Sequence, residues 1–140
     1  MAGSPDDVHD AHGAAERLRT ERNVWLATVR PDGRPHVAPV WFVHVDDRIW
    51  IGTGAGSVRV RNLASNPRVT VTLEDGDRPV VAEGEASVHP SERPPDVVRA
   101  FLDKYGWDVT IEVDEDVGEV VLVEVRPRRW LFGVELPTST

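Results

Sequence analysis

The chain has 140 residues, 40% hydrophobic and 29% charged, which suits one folded domain with one core. Its formal net charge of −8 argues against a diffuse nucleic-acid partner, and the absence of cysteine excludes disulfides, thiolate metal sites and cysteine nucleophiles. No apolar run approaches the roughly 18 residues of a membrane span and the polar, acidic start is no signal peptide, so a cytoplasmic protein with no membrane partner is expected.

Residues 1–10 read as a flexible tail, and 11–140 as one domain. Ala11 to Glu21 predicts a helix with Ala14, Ala15 and Leu18 on one side. Asn23 to Arg30 predicts a strand, and Pro31-Asp32-Gly33 a turn, with proline presetting one dihedral and glycine accepting positive φ. Pro35 to Val45 predicts a second strand, apolar on both faces around Trp41, as for a strand inside a closed sheet rather than at an edge. Asp46-Asp47 is a tight turn, and Arg48 to Thr53 returns as a third strand of a meander. Ser57 to Ser65 is a short helix with Ser57 as its N-cap, ended by Pro67. From Arg68 to Glu74, Val69, Val71 and Leu73 alternate with polar residues, the period of a half-buried strand. A hairpin turn leads to a fifth strand, Pro79 to His89. Pro94-Pro95 opens a helix reaching about Lys104, with Val97, Val98, Phe101 and Leu102 as its buried stripe. Asp108 to Asp116 fits a short strand or a loop. Gly118 to Val125 is a sixth strand, and Arg129 to Val134 a seventh after Pro127. Six to seven short antiparallel strands with few helices make a mainly β fold, a small barrel.

The catalytic templates are mostly missing. There is no phosphate-binding P-loop, and Gly52, Gly54 and Gly56 match a dinucleotide fingerprint only loosely, with no βαβ unit around them. His36 and His44 lie eight residues apart on one strand, about 26 Å by strand rise, too far to share a metal; His9 and His12 sit in the tail. No serine sits in a nucleophile elbow, and no metal site is expected. The carboxylates of Glu74 to Asp77 read as a solvated turn. Five tryptophans suit core packing, although Trp41 and Trp130 also suit contact with a flat ligand.

One stretch, TGAGSVRVRN from Thr53 to Asn62, concentrates positive charge in an acidic chain. Its glycines would let backbone N–H groups approach an anion, the helix start carries a positive dipole end, and Ser57, Arg59 and Arg61 add donors suited to phosphate or carboxylate. From composition alone, an anion pocket and a capped surface helix stand level.

In its wider setting the stretch resembles a known family. NVWLATVRPDGRPHVAPVWFV, IWIGTGAGSVRVRNLASNPRVTVTL and PVVAEGEASV, from Asn23 to Val88, resemble the pyridoxamine 5′-phosphate oxidase-like superfamily of flavin and deazaflavin proteins. The resemblance implies a split β-barrel. It implies a homodimer with cofactor at the interface. By position, Thr53, Gly54, Ser57 and Arg59 resemble the cofactor-phosphate segment, continued by Arg61 and Asn62. Pro39, Val40 and Trp41 lie where the second strand lines the tricyclic ring. The segment Arg128 to Phe132, with Trp130, stands where the family reaches the partner's cofactor. The outer wall of the cleft would come from Glu92 to Pro95 and Tyr105 to Asp116. Ala38 and Val43 replace the arginine and lysine with which true pyridoxamine phosphate oxidases hold the flavin phosphate, which argues against pyridoxal phosphate synthesis. The rest resembles the branch that binds the deazaflavin coenzyme F420. The resemblance therefore implies an F420H2-dependent reductase acting on an unsaturated small molecule. The alternatives are an FMN oxidoreductase, or a protein that only binds flavin, deazaflavin or haem.

Overall fold

Alternating β-branched residues give this chain its eight strands, and glycine, proline and aspartate set where it turns. The computed structural model describes residues 11–132; the tail assigned to 1–10 and the last two residues of the predicted seventh strand lie outside the described residues. A short 3-10 turn, Ala11–Gly13, leads into α1, Ala14–Thr20. Then follow β1 (Val24–Val29), β2 (Pro35–Val40), β3 (Phe42–Val45) and β4 (Arg48–Gly54). The short helix α2 (Val58–Ser65) separates these from β5 (Arg68–Thr72) and β6 (Val81–His89). After α3 (Pro95–Tyr105) come β7 (Val113–Asp114) and the long β8 (Gly118–Leu131).

Every pairing is antiparallel, in the order β2-β1-β5-β6-β8-β4-β3, with β7 appended to β8. The seven principal strands form a curled half-barrel filled from both sides, by Leu26, Phe42, Ile51, Val71, Val123 and Val125 among others. A second cluster lies on the outer face of β3, β4 and β8. There Val43, Trp50, Val120 and Leu122 meet Val97 and Phe101 of α3. None of the described helices is long and apolar enough to cross a membrane.

Four sequence expectations need correction. The predicted strand Pro35–Val45 is interrupted at Trp41, so β2 and β3 stand at opposite ends of the strand order rather than in its middle. Its double-sided apolar character has two causes: β3 lies between the barrel interior and α3, whereas β2 turns Val37 to solvent at 55% exposure. Pro127 does not split the last strand. A register shift at Glu83/Gly84 absorbs it, pairing Gly84 with Pro127 and Glu83 with Arg129. Only glycine fits there, because a Cβ on Gly84 would lie 2.1 Å from the Arg126 carbonyl oxygen. Finally, Leu102 is exposed; Val97 and Phe101 alone form the fully buried stripe of α3. His12, read as part of the tail, instead bonds through Nε2 to the Phe132 carbonyl at 2.7 Å and joins the two ends of the described chain.

Candidate functional site

The break at Trp41 builds the site. There the chain leaves the β1 pairing and enters the β4 pairing, and the end of α3 fastens the crossing. The Tyr105 hydroxyl accepts from the Phe42 N–H at 2.9 Å. Its proton serves the carbonyls of Arg22 at 2.7 Å and Phe42 at 2.9 Å. Burial raises the Tyr105 pKa, opposed by its bond to Phe42 and the charge of Arg22. The phenol therefore stays a neutral donor at physiological pH. Gly106 closes α3 in the left-handed conformation, φ 68°, and its N–H bonds to Leu102 O. The chain turns back, so that Trp107 packs edge-on against Phe101, with ring centroids 5.6 Å apart. Trp41 stacks on Tyr105 at 4.3 Å and meets Trp107 edge-on at 5.9 Å, with the Arg22 guanidinium 4.6 Å above its ring. Gly52 makes room for this wall: a Cβ there would lie 2.5 Å from the Trp107 ring.

Lys104, the only lysine, helps to hold the crossing. Its Nζ donates to the Phe42 carbonyl at 3.0 Å and lies 3.7 Å from the Phe42 ring centroid. Burial pushes its pKa down to about 8, partly opposed by the charge of Glu21. An NMR titration of the ε-amine is expected to show a midpoint near about 8. A midpoint near the ordinary value of about 10.4 would mean the amine is solvated rather than packed on Phe42.

Beside the aromatic wall lies a cavity of about 510 Å³. Pro39, Val40 and Trp41 form one side; Thr53 and Arg59 form the polar end; Tyr105, Gly106 and Trp107 form the opposite wall; and Asp114, Asp116 and Val117 form the lip. The lip is held by the Asp114 carboxylate, which accepts from the N–H groups of Asp116 at 2.7 Å and Val117 at 3.2 Å. At the polar end Arg59 Nη1 donates to Thr53 Oγ1 at 2.6 Å, while its Nε is buried with no hydrogen-bond partner among the described residues. Burial lowers the pKa of Arg59, which nevertheless remains a cation.

Of the ten residues named from the sequence, Pro39, Val40, Trp41, Thr53 and Arg59 meet at this cavity. The other five do not line it. Gly54 lies in the β4–β8 pairing, where a Cβ would sit 2.2 Å from the Val117 carbonyl oxygen, so its glycine serves a close backbone approach. Ser57 caps α2, its hydroxyl accepting from the Val60 N–H at 3.4 Å. Arg61 reaches the Gly56 carbonyl at 2.9 Å. Asn62 is buried and donates to Thr28 Oγ1 at 2.9 Å, pinning α2 to β1. The N–H groups of Ala55 and Ser57 bond to the carbonyls of Glu119 and Gly54, so these two are already engaged within the chain. Trp130 stacks on Phe132 at 6.2 Å and meets His44 edge-on at 6.4 Å. The predicted outer wall is half present, since residues of 105–117 line the cavity and Glu92–Pro95 do not. Val43 belongs to the core under α3, so neither it nor the methyl of Ala38 brings a charge to the cavity.

A curled antiparallel half-barrel with a cleft at a strand break defines a split-barrel protein. The chain belongs to the pyridoxamine 5′-phosphate oxidase family, whose model matches residues 12–132. Among solved structures it is similar to an F420 reductase, with 27% identity, 83% of this chain and 94% of the other covered, and a TM-score of 0.66. A conserved hypothetical protein from Mycobacterium tuberculosis is 29% identical over 93% of this chain and 84% of its own, with a TM-score of 0.65. A haem storage protein from Vibrio cholerae, 22% identical over 84% and 91% with a TM-score of 0.67, shares the fold. No curated protein matches by sequence. These likenesses support the superfamily resemblance, and the F420 reductase supports its deazaflavin branch.

Proposed function

We propose that the chain is an oxidoreductase that binds reduced F420 in the cavity beside Trp41 and reduces an unsaturated small molecule. The observation that carries this reading is Arg59, a half-buried cation at the end of an aromatic-walled cavity, with a buried Nε that lacks an acceptor among the described residues. A buried unpaired donor costs free energy, and an oxyanion would satisfy it. The cavity lies in the usual size range for ligand sites, roughly 300–1,000 Å³, and has the flat apolar walls a tricyclic ring needs. The likeness to an F420 reductase at 27% identity points to the deazaflavin.

In this reading Arg59 and Thr53 hold the cofactor's phosphate, and Pro39, Val40 and Trp41 bear on its ring. Tyr105 and Trp107 exclude water from one wall. When bound, reduced F420 supplies a hydride for an electron-poor double bond such as an enone, a quinone or a tetrapyrrole bridge. The chain's part is to orient the ring and keep the cleft dry. The site is shared by two subunits of a homodimer, and exposed Trp25 and Val37 on the β1–β2 face offer apolar surface for that contact.

Parallel titrations with F420 and FMN, followed by tryptophan quenching, test the cofactor. Tight binding of F420 and weak binding of FMN is the expected result. The reverse would make this an FMN oxidoreductase, since FMN also presents a phosphate and a flat tricycle. Binding of neither would remove the flavin reading and leave haem as the next ligand to try.

A further inference from the structure

Lys104 carries the only side-chain amine of this protein, and no step of the proposed reaction uses it. It stands in the last turn of α3, half-buried, one residue before the tyrosine that stacks on Trp41. Its Nζ meets Phe42 twice, donating to the carbonyl at 3.0 Å and lying 3.7 Å from the ring centroid. Among the described residues no carboxylate forms an ion pair with it. A half-buried ammonium without a counter-ion is poorly solvated, which favours the free amine. In that amine one N–H serves the carbonyl and the other the ring face, and the lone pair is left for the open side.

We propose that Lys104 is an acyl-acceptor site, modified by an activated acyl group of the acyl phosphate or thioester class, and that the modified side chain loosens the crossing at Phe42. The Nζ lone pair attacks the acyl carbonyl carbon and forms the C–N bond. The bond from that carbon to the phosphate oxygen or thiol sulfur breaks, the leaving group departs with the electron pair, and the amine's proton goes to solvent. No oxidant or reductant is required. The product is a neutral amide. It loses the charge held over the Phe42 ring, keeps a single N–H for the Phe42 carbonyl, and adds an acyl group where the amine fitted. Phe42 opens β3 directly after Trp41, and Tyr105 bonds to both its N–H and its carbonyl, so the disturbance reaches the cavity wall.

The groups around the amine leave it reactive. Facing it from the end of α1 is Glu21, whose charge partly opposes the effect of burial, but that carboxylate is bound to Arg17 Nε at 2.5 Å. Arg22, in the same segment, leans on the Trp41 and Tyr105 rings. From β3 the neighbours are the Phe42 ring and carbonyl, and from α3 the neutral Tyr105 ring, its centroid 5.3 Å from Nζ.

The experiment treats the full chain with acetyl phosphate and, in parallel, with an acetyl thioester, beside N-acetyl-lysine amide as a solvated amine. Intact mass gives the rate, and peptide mapping separates Lys104 from the α-amine. Near pH 7.5 Lys104 is expected to react about tenfold faster than the solvated amine in at least one arm. Its rate should rise with pH and level off above about 8, where the amine is free, while that of the solvated amine climbs towards about 10.4. Lys104→Arg should take no acyl group at that position. Acetylation should lower the urea midpoint and shift tryptophan emission to the red, and Lys104→Gln should reproduce both changes. A rate no faster than that of the solvated amine in both arms would overturn the inference. So would complete acetylation that leaves the urea midpoint and the emission unchanged. A several-fold fall in F420 or FMN affinity on acetylation is also expected, and that readout alone rests on the reading above. Failure of the unmodified chain to bind either cofactor counts against that reading, while mass, melt and emission decide this one.

Discussion

Arg59→Ala is expected to weaken F420 and FMN binding by about 10- to 150-fold, the range for losing a hydrogen-bonded charge worth about 1.5–3 kcal/mol. The effect should fall on affinity and not on folding. Arg59 is half-buried and bonds to Thr53 at its Nη1, but its Nε has no partner among the described residues. Arg59→Lys keeps the charge and loses the fork, so its loss should be smaller. The measurement is the quenching titration repeated on each variant, with a urea melt to confirm the fold. Unchanged affinity for both cofactors would remove Arg59, and with it the polar end of the cavity, from cofactor binding.

Phe101→Ala is expected to cost about 3–5 kcal/mol in a urea melt, the usual range for emptying a fully buried phenylalanine site. Phe101 is fully buried, at the centre of the cluster that joins α3 to β3, β4 and β8. It also backs the cavity wall, touching Tyr105 at 6.0 Å and Trp107 at 5.6 Å between ring centroids. The variant should therefore lose cofactor affinity beyond what its stability loss explains, under conditions where it remains folded. A cost below about 1 kcal/mol would show that α3 is not coupled to the barrel, because volume-conserving core changes set that scale.

Much of the fold was legible because its signals are local. The alternation of Val69, Val71 and Leu73 marked β5, and all three are buried. Ser57 announced the start of α2 and caps it. The apolar positions Val97 and Phe101 marked the buried side of α3. What misled were residues whose surroundings differ from their neighbours'. Pro127 looks like a stop, and only its pairing with Gly84 across the sheet shows why the strand continues. Pro35–Val45 looks like one buried strand, yet its halves pair with different partners on opposite ends of the sheet.

The cavity follows the same division. Thr53 and Arg59 could be singled out because a motif places them six residues apart, on a strand end and a helix. Gly54, Ser57 and Asn62 belong to the same motif, but their structural work depends on Val117, Val60 and Thr28. Two of these partners come from distant strand or loop segments, which one-dimensional spacing does not report.

By itself, then, the sequence determined the strand and helix periods, the caps and turns, the family, and the charge of the Thr53–Asn62 segment, because each is written in neighbouring residues. Only the tertiary structure decided that the chain breaks at Trp41, that Tyr105 and Trp107 wall the cavity, and that Nε of Arg59 is buried with no hydrogen-bond partner among the described residues. Burial and the lack of a partner are properties of everything packed around a group, and that packing is set by strands and helices far apart in the chain.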